Sequence, residues 1–283
     1  MKRIVATTST SCLDYVEHNL DIRTIRIKID MGDHVLKDDG TEIKAEEFYS
    51  KMEANKTLVP RTSQPSLGSL IEFFEGLSKE GYEEVIVTTI SSKLSGTYNA
   101  ICQVSEILAD TIKIIPFDTK TVCFNEGYFA ITASKMINDN RTTEDIIARL
   151  EYLRHNVRIF FAVDSLECLV KNGRLTNAQG FLGKILKIKP LLEVKEDGTI
   201  EAVENMRTTK KALERLGTYL EDYVKGHDYY AYIVYTGQDL KEYFIDVLKN
   251  KFNLVNLDER PCSPVVGCHV GPNAIGLGVF LKD

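Results

Sequence analysis

Apolar residues in this chain follow two alternating rhythms. Short runs rich in β-branched residues, at 3–8, 85–90, 111–117 and 158–163, predict buried strands. Stretches with apolar residues at helical spacing fall between them, at 45–54, 67–77, 98–108, 126–137 and 142–153. Residues 22–29 alternate like a further strand, and Gly81 ends the helix begun at Leu67. Thr142 with Asp145 gives a weak capping-box start. Strand followed by helix, repeated, predicts a mostly parallel sheet with helices on both faces.

After about residue 165 the pattern changes. Residues 190–194 and 199–203 flank Glu196-Asp197-Gly198, an Asp-Gly hairpin signal. An amphipathic helix over 209–223 follows. Strand 229–235, helix 241–249 and strands 254–257 and 275–280 complete the chain. The expected fold is therefore α/β in two units. The first, 1–163, is a Rossmann-like three-layer unit; the second, 164–283, has a mixed sheet with antiparallel strands. No linker composition marks the boundary, and there is no repeat or low-complexity segment.

Composition narrows the function classes. The chain has 283 residues, 43% hydrophobic and 27% charged, ordinary for a globular protein. Its formal charge of -6 argues against nucleic acid or an anionic membrane as the main partner. No apolar run reaches the length of a membrane span, and no signal-peptide core follows Lys2 and Arg3, so a cytoplasmic location is expected. The six cysteines are dispersed with no C-x-x-C pair, and read as buried, inert thiols. The five histidines show no metal-ligand spacing, so no metal site is expected.

The candidate chemistry lies in three separated segments: Thr62-Ser63-Gln64-Pro65-Ser66, Ser91-Ser92-Lys93-Leu94-Ser95-Gly96-Thr97 and Gly267-Cys268-His269-Val270-Gly271-Pro272. The first reads as a loop entering a helix. The second is a strand-to-helix turn, where free amides and the helix dipole favour an anion. In both, the hydroxyls of Thr62, Ser63 and Ser95 can cap the helix or bind a ligand, and Gly96 permits close backbone approach. The third reads as too kinked for a helix, with His269 offering a protonated or N–H-donating imidazole to a carboxylate. Arg207, after a predicted strand, is either a further anion partner or a surface arginine. Together the segments predict a site for a small molecule with an acidic head.

These motifs, with Asp164-Ser165-Leu166 to Gly173-Arg174 and Arg207-Thr208, resemble the DegV family of fatty-acid-binding proteins over essentially the whole chain. The resemblance implies two α/β domains holding a long-chain fatty acid such as hexadecanoate, and no cofactor. It implies a carboxylate held by Thr62 and Ser95, with His269 and Arg207 nearby. It also implies a non-catalytic role: presenting the lipid to a separate, ATP-using fatty acid kinase subunit, with only transient membrane contact. Departures are Thr7-Thr8-Ser9 without an aspartate, Cys12 at a commonly acidic position, Asn172 before Gly173, and Asn273 after Gly271-Pro272. The rival reading is a serine hydrolase acting on a small acyl ester, with Ser95, His269 and Asp118 or Asp164 as a triad. No G-x-S-x-G elbow supports it, and no phosphate-loop motif supports a nucleotide site.

Overall fold

The computed structural model describes residues 1–55, 57–176, 188–254 and 257–282. Strands β1 (Arg3–Thr8), β2 (Ile22–Ile25), β6 (Glu84–Thr89) and β7 (Lys113–Asp118) form a parallel sheet in the order β2-β1-β6-β7. Its central strands β1 and β6 are buried on both faces, which is why they read as continuous apolar runs rather than alternations, while the edge strands β2 and β7 are partly exposed. One face packs on helices α2 (Leu67–Lys79) and α3 (Thr97–Ile107) through Leu70, Phe74, Leu77, Ile101 and Val104. The other packs on α4 (Phe124–Asn138).

The second sheet has the order β10-β9-β8-β13-β11-β12 and is antiparallel except for its last pair. Its strands are β8 (Val157–Val163), β9 (Lys189–Val194), β10 (Ile200–Met206), β11 (Tyr229–Tyr235), β12 (Asp258–Pro261) and β13 (Ala274–Leu281). The Asp-Gly signal does make the β9–β10 hairpin: Lys195 donates to the Thr199 carbonyl (2.8 Å) and Gly198 takes φ +89°. Helices α7 (Thr209–Val224) and α8 (Gln238–Phe252) cover the outer face around Leu213, Leu216 and Phe244.

Helix α4 lies between the sheets. It packs on β1 and β6 from one side and on β13 from the other, with the Tyr128 ring 4.2 Å from that of Phe280. One continuous core therefore runs through both units. Helix α5 (Thr143–His155) flanks α4, with Thr142 accepting from the Asp145 amide as its capping signal predicts.

Several expectations change. The strand read over 22–29 breaks at Arg26, whose guanidinium turns out to Asp14 (2.6 Å), and resumes as β3 (Lys28–Asp30). β3 pairs with β4 (Val35–Lys37) and with β5 (Arg61–Ser63), so part of the loop read over 60–65 is a strand. The strand at 158–163, assigned to the first unit, pairs in the second sheet. The strand read over 254–257 includes Val255 and Asn256, outside the described residues; the strand there is β12. Residues 264–270 form a helix, α9 (Pro264–Val270), despite Gly267. A Cβ at Gly267 would come 2.4 Å from the Tyr49 ring, so the glycine is there for close packing rather than for a kink. The break comes at Gly271, with φ +86°.

Candidate functional site

One cavity lies between the units, with about 930 Å³ of space including the part open to solvent. Most of its wall is aliphatic, with Ile27, Ile90 and Val122 from the first unit and Ile159, Leu169 and Val266 from the second. No carboxylate lines it among the described residues, and Arg174 is the one charged residue that does.

The polar lining gathers around His269. Thr62 sits at the centre of β5, opposite Ile29, and its hydroxyl is 2.9 Å from His269 Nε2 on α9. His269 Nδ1 is buried with no hydrogen-bond partner. Desolvation, reinforced by the Arg174 charge, pulls the imidazole pKa down to about 3. The ring is thus neutral at physiological pH, not protonated. A neutral ring carries one proton. On Nδ1 it would be an orphaned buried N–H, which is costly; on Nε2 it bonds to Thr62 Oγ1 and leaves the threonine hydroxyl free to donate onward.

Ser95 and Gly96 line the same cavity from the turn between β6 and α3. The Ser95 hydroxyl accepts from the Thr97 amide (3.3 Å) and lies 2.8 Å from the Thr97 hydroxyl, so this oxygen also caps α3. The Gln64 side chain packs on Gly96 so closely that a Cβ there would sit 2.0 Å from Gln64 Oε1. The segment therefore both turns the chain into α3 and faces the cavity.

Arg174 joins the groups. It follows Gly173 (φ +68°) after α6 (Glu167–Lys171), and its Nε donates to the Leu94 carbonyl (3.0 Å), next to Ser95. Burial lowers its pKa, and no carboxylate among the described residues pairs with it. Asn172 sends its amide nitrogen to the carbonyls of Pro60 (3.2 Å) and Cys268 (3.0 Å), two residues before Thr62 and one before His269. It thereby fixes Thr62 and His269 relative to each other.

Two sequence candidates lie apart. Ser63 is exposed on β5, facing away from Thr62 by strand alternation, and Arg207 is exposed between β10 and α7; neither lines the cavity. The hydrolase arrangement is not formed either. His269 bonds to Thr62, its Nδ1 has no acid behind it, Asp118 accepts from the Ser92 and Lys120 amides, and Asp164 pairs with Lys189. Sequence reasoning did not single out Arg174 and Asn172 as groups around the cavity, although both lie in the stretch from Asp164 to Arg174.

Thr10 also lines the cavity, held by a buried carboxyl. Glu126 on α4 receives the Thr7 hydroxyl (3.1 Å), the Thr8 amide (3.1 Å) and hydroxyl (2.6 Å), and the Thr10 hydroxyl (2.5 Å). Burial outweighs those donors and pushes its pKa up to about 8.

The DegV family model, described as one of uncharacterised proteins, matches residues 2–282. A DegV domain-containing protein of Staphylococcus aureus is 32% identical over 288 residues, covering 99% of both chains. The fatty acid binding DegV family protein of Streptococcus agalactiae superposes over the full length of both chains with a TM-score of 0.88 at 27% identity. DegV, a fatty acid binding protein from Bacillus subtilis, does so with a TM-score of 0.84 at 30% identity. With agreement of sequence and fold from end to end, this chain belongs to the DegV family.

Proposed function

We propose that this protein binds a long-chain fatty acid in the cavity between its units and presents the carboxylate to a separate ATP-dependent kinase subunit for acyl phosphate formation. The observation that carries the reading is the division of the cavity wall. One polar group, Thr62–His269–Arg174 with Ser95 beside it, interrupts a lining that is otherwise mainly aliphatic. An amphipathic acid matches both parts. The names of the S. agalactiae and B. subtilis relatives, each a fatty acid binding protein, support the same ligand class.

Burying about fifteen methylenes at ~0.8 kcal/mol each supplies roughly 12 kcal/mol before ordering costs. The acyl chain therefore supplies affinity and the head group sets register. A desolvated carboxylate needs donors. Thr62 and Ser95 offer hydroxyls, and Arg174 offers a charge that no carboxylate among the described residues neutralises. Thr62 and Ser95 are only partly buried, so a carboxylate between them stays within reach of a second protein. That favours presentation over sequestration.

Native mass spectrometry of the freshly purified protein, followed by organic extraction, tests the ligand. One fatty acid per chain is the expected result. A ligand-free protein that also takes up no added fatty acid would refute the reading. Incubating the loaded protein with ATP and a purified fatty acid kinase subunit tests the second half, with acyl phosphate as the readout.

A further inference from the structure

The cysteines, read from sequence as dispersed, are not dispersed in space. Cys12, Cys123 and Cys262 come from the turn after β1, the N-cap of α4 and the residue after β12. All three are free and buried, and their sulfurs lie within 4.8 Å of one another. Cys123 and Cys262 are 3.9 Å apart, sulfur to sulfur.

We propose that Cys12, Cys123 and Cys262 form a three-sulfur site for a thiophilic d10 metal ion, with Cu(I) the best-matched occupant and Zn(II) the alternative of the same chemistry.

The spacing decides between a metal and a disulfide. A metal–sulfur bond of about 2.3 Å puts two ligand sulfurs about 3.8 Å apart in a tetrahedron and about 4.0 Å apart in a trigonal plane. The observed 3.9 Å fits either without movement, and the widest pair needs less than 1 Å. A disulfide needs about 2.05 Å, nearly 2 Å of closure, and would leave the third thiol over. Soft thiolates select ions of this kind. No fourth histidine, cysteine or carboxylate joins the group among the described residues, which suits a three-coordinate ion better than one requiring four ligands. The Ser263 hydroxyl lies fully buried beside the Cys12 sulfur.

Two further observations point the same way. Cys12 and Cys123 both have positive φ, 59° and 60°, and Cys123 has ψ -151°, a region otherwise left to glycine. Such conformations persist where the surroundings impose them, and here they aim two thiols at a third. The Ser263 amide donates to the Cys12 sulfur (3.4 Å) and favours thiolate at that position, whereas hydrogen bonding within the cluster and burial push the Cys123 and Cys262 thiols up. Binding is an exchange: the ion enters as the thiols it takes release their protons. Cys123 and Cys262 line the cavity, which provides the route in.

The test is anaerobic titration of the reduced full-length protein with Cu(I) buffered by a competing chelator, and in parallel with Zn(II). One equivalent of either ion should be withheld from its chelator. X-ray absorption of the loaded wild type should show about three sulfurs at roughly 2.3 Å. Cys12→Ser should weaken retention by more than the ~10–100-fold that follows loss of a supporting outer group. Cys102→Ser and Cys168→Ser, outside the cluster, should leave it unchanged. Retention of neither ion overturns the proposal. So does retention undiminished in Cys12→Ser, or an absorption spectrum of the wild type dominated by nitrogen or oxygen ligands. The spectrum needs no variant, so a folding defect in Cys12→Ser does not blunt the test.

Discussion

Replacing Glu126 by glutamine should stabilise the protein at neutral pH, although it removes a residue engaged in four hydrogen bonds. The folded-state pKa is about 8 against an ordinary value of 4.5, because burial outweighs the donors of Thr7, Thr8 and Thr10. The folded protein therefore holds a proton that the unfolded chain has released. Stability from this group is complete below about pH 4.5 and is lost as pH rises towards 8, at about 1.4 kcal/mol per pH unit. Between pH 5 and pH 7.5 the loss comes to roughly 3 kcal/mol. Glutamine keeps the shape: its oxygen can accept from Thr7 and Thr8, and its amide nitrogen faces the Thr10 hydroxyl oxygen, to which it can donate. Urea denaturation midpoints of both proteins across that range measure the effect. The two should nearly coincide at pH 5 and separate by roughly 3 kcal/mol in favour of Glu126→Gln at pH 7.5. Parallel profiles, or a wild type that gains on the variant as pH rises, would refute the reasoning and show that Glu126 is ionised in the fold.

Four other variants probe the site and its surroundings. Asn172→Ala strips the donors from the Pro60 and Cys268 carbonyls and should cost about 2 kcal/mol in chemical denaturation; in acyl phosphate assays it should lower transfer as Thr62 and His269 lose alignment, and an unchanged rate would deny it that positioning role. Ser95→Ala and His269→Ala should reduce acyl phosphate formation by an added kinase more than they reduce retention of extracted fatty acid, and equal loss of both would count against a head group that sets register while the chain supplies affinity. Gly267→Ala drives a methyl into the buried Tyr49 ring, whose hydroxyl is tied to the Cys262 and Ser263 carbonyls (2.8 and 3.1 Å). It should cost about 1–3 kcal/mol, seen as a drop in melting temperature; a neutral result would mean α9 shifts freely.

Local signals in the sequence indicate much of this fold. The β-branched runs of the parallel sheet, the Asp-Gly hairpin and the Thr142 cap each act over a few residues, and each forms where it is expected. What the sequence hides is long-range. β5 is three residues that become a strand only by pairing with β3, some thirty positions earlier. α9 contains a glycine that lowers its intrinsic helix propensity, and Tyr49 packing explains it. The neutrality of His269 depends on burial, and the thiol cluster joins positions 12, 123 and 262, for which no spacing rule exists. Arg174 has the look of a surface charge in a glycine turn until the cavity beside it is known.

The place of β13 bears on how the chain comes into being. It follows the other five strands of its sheet in the sequence, yet it lies inside that sheet, between β8 and β11, and carries Phe280 into the packing of α4. A chain halted on the ribosome before Ala274 has two strands with open edges and a half-covered central helix. Unpaired edges of that kind recruit other chains. Until Ala274–Leu281 have emerged and joined the sheet, the chain is therefore exposed to misassembly and to chaperone capture.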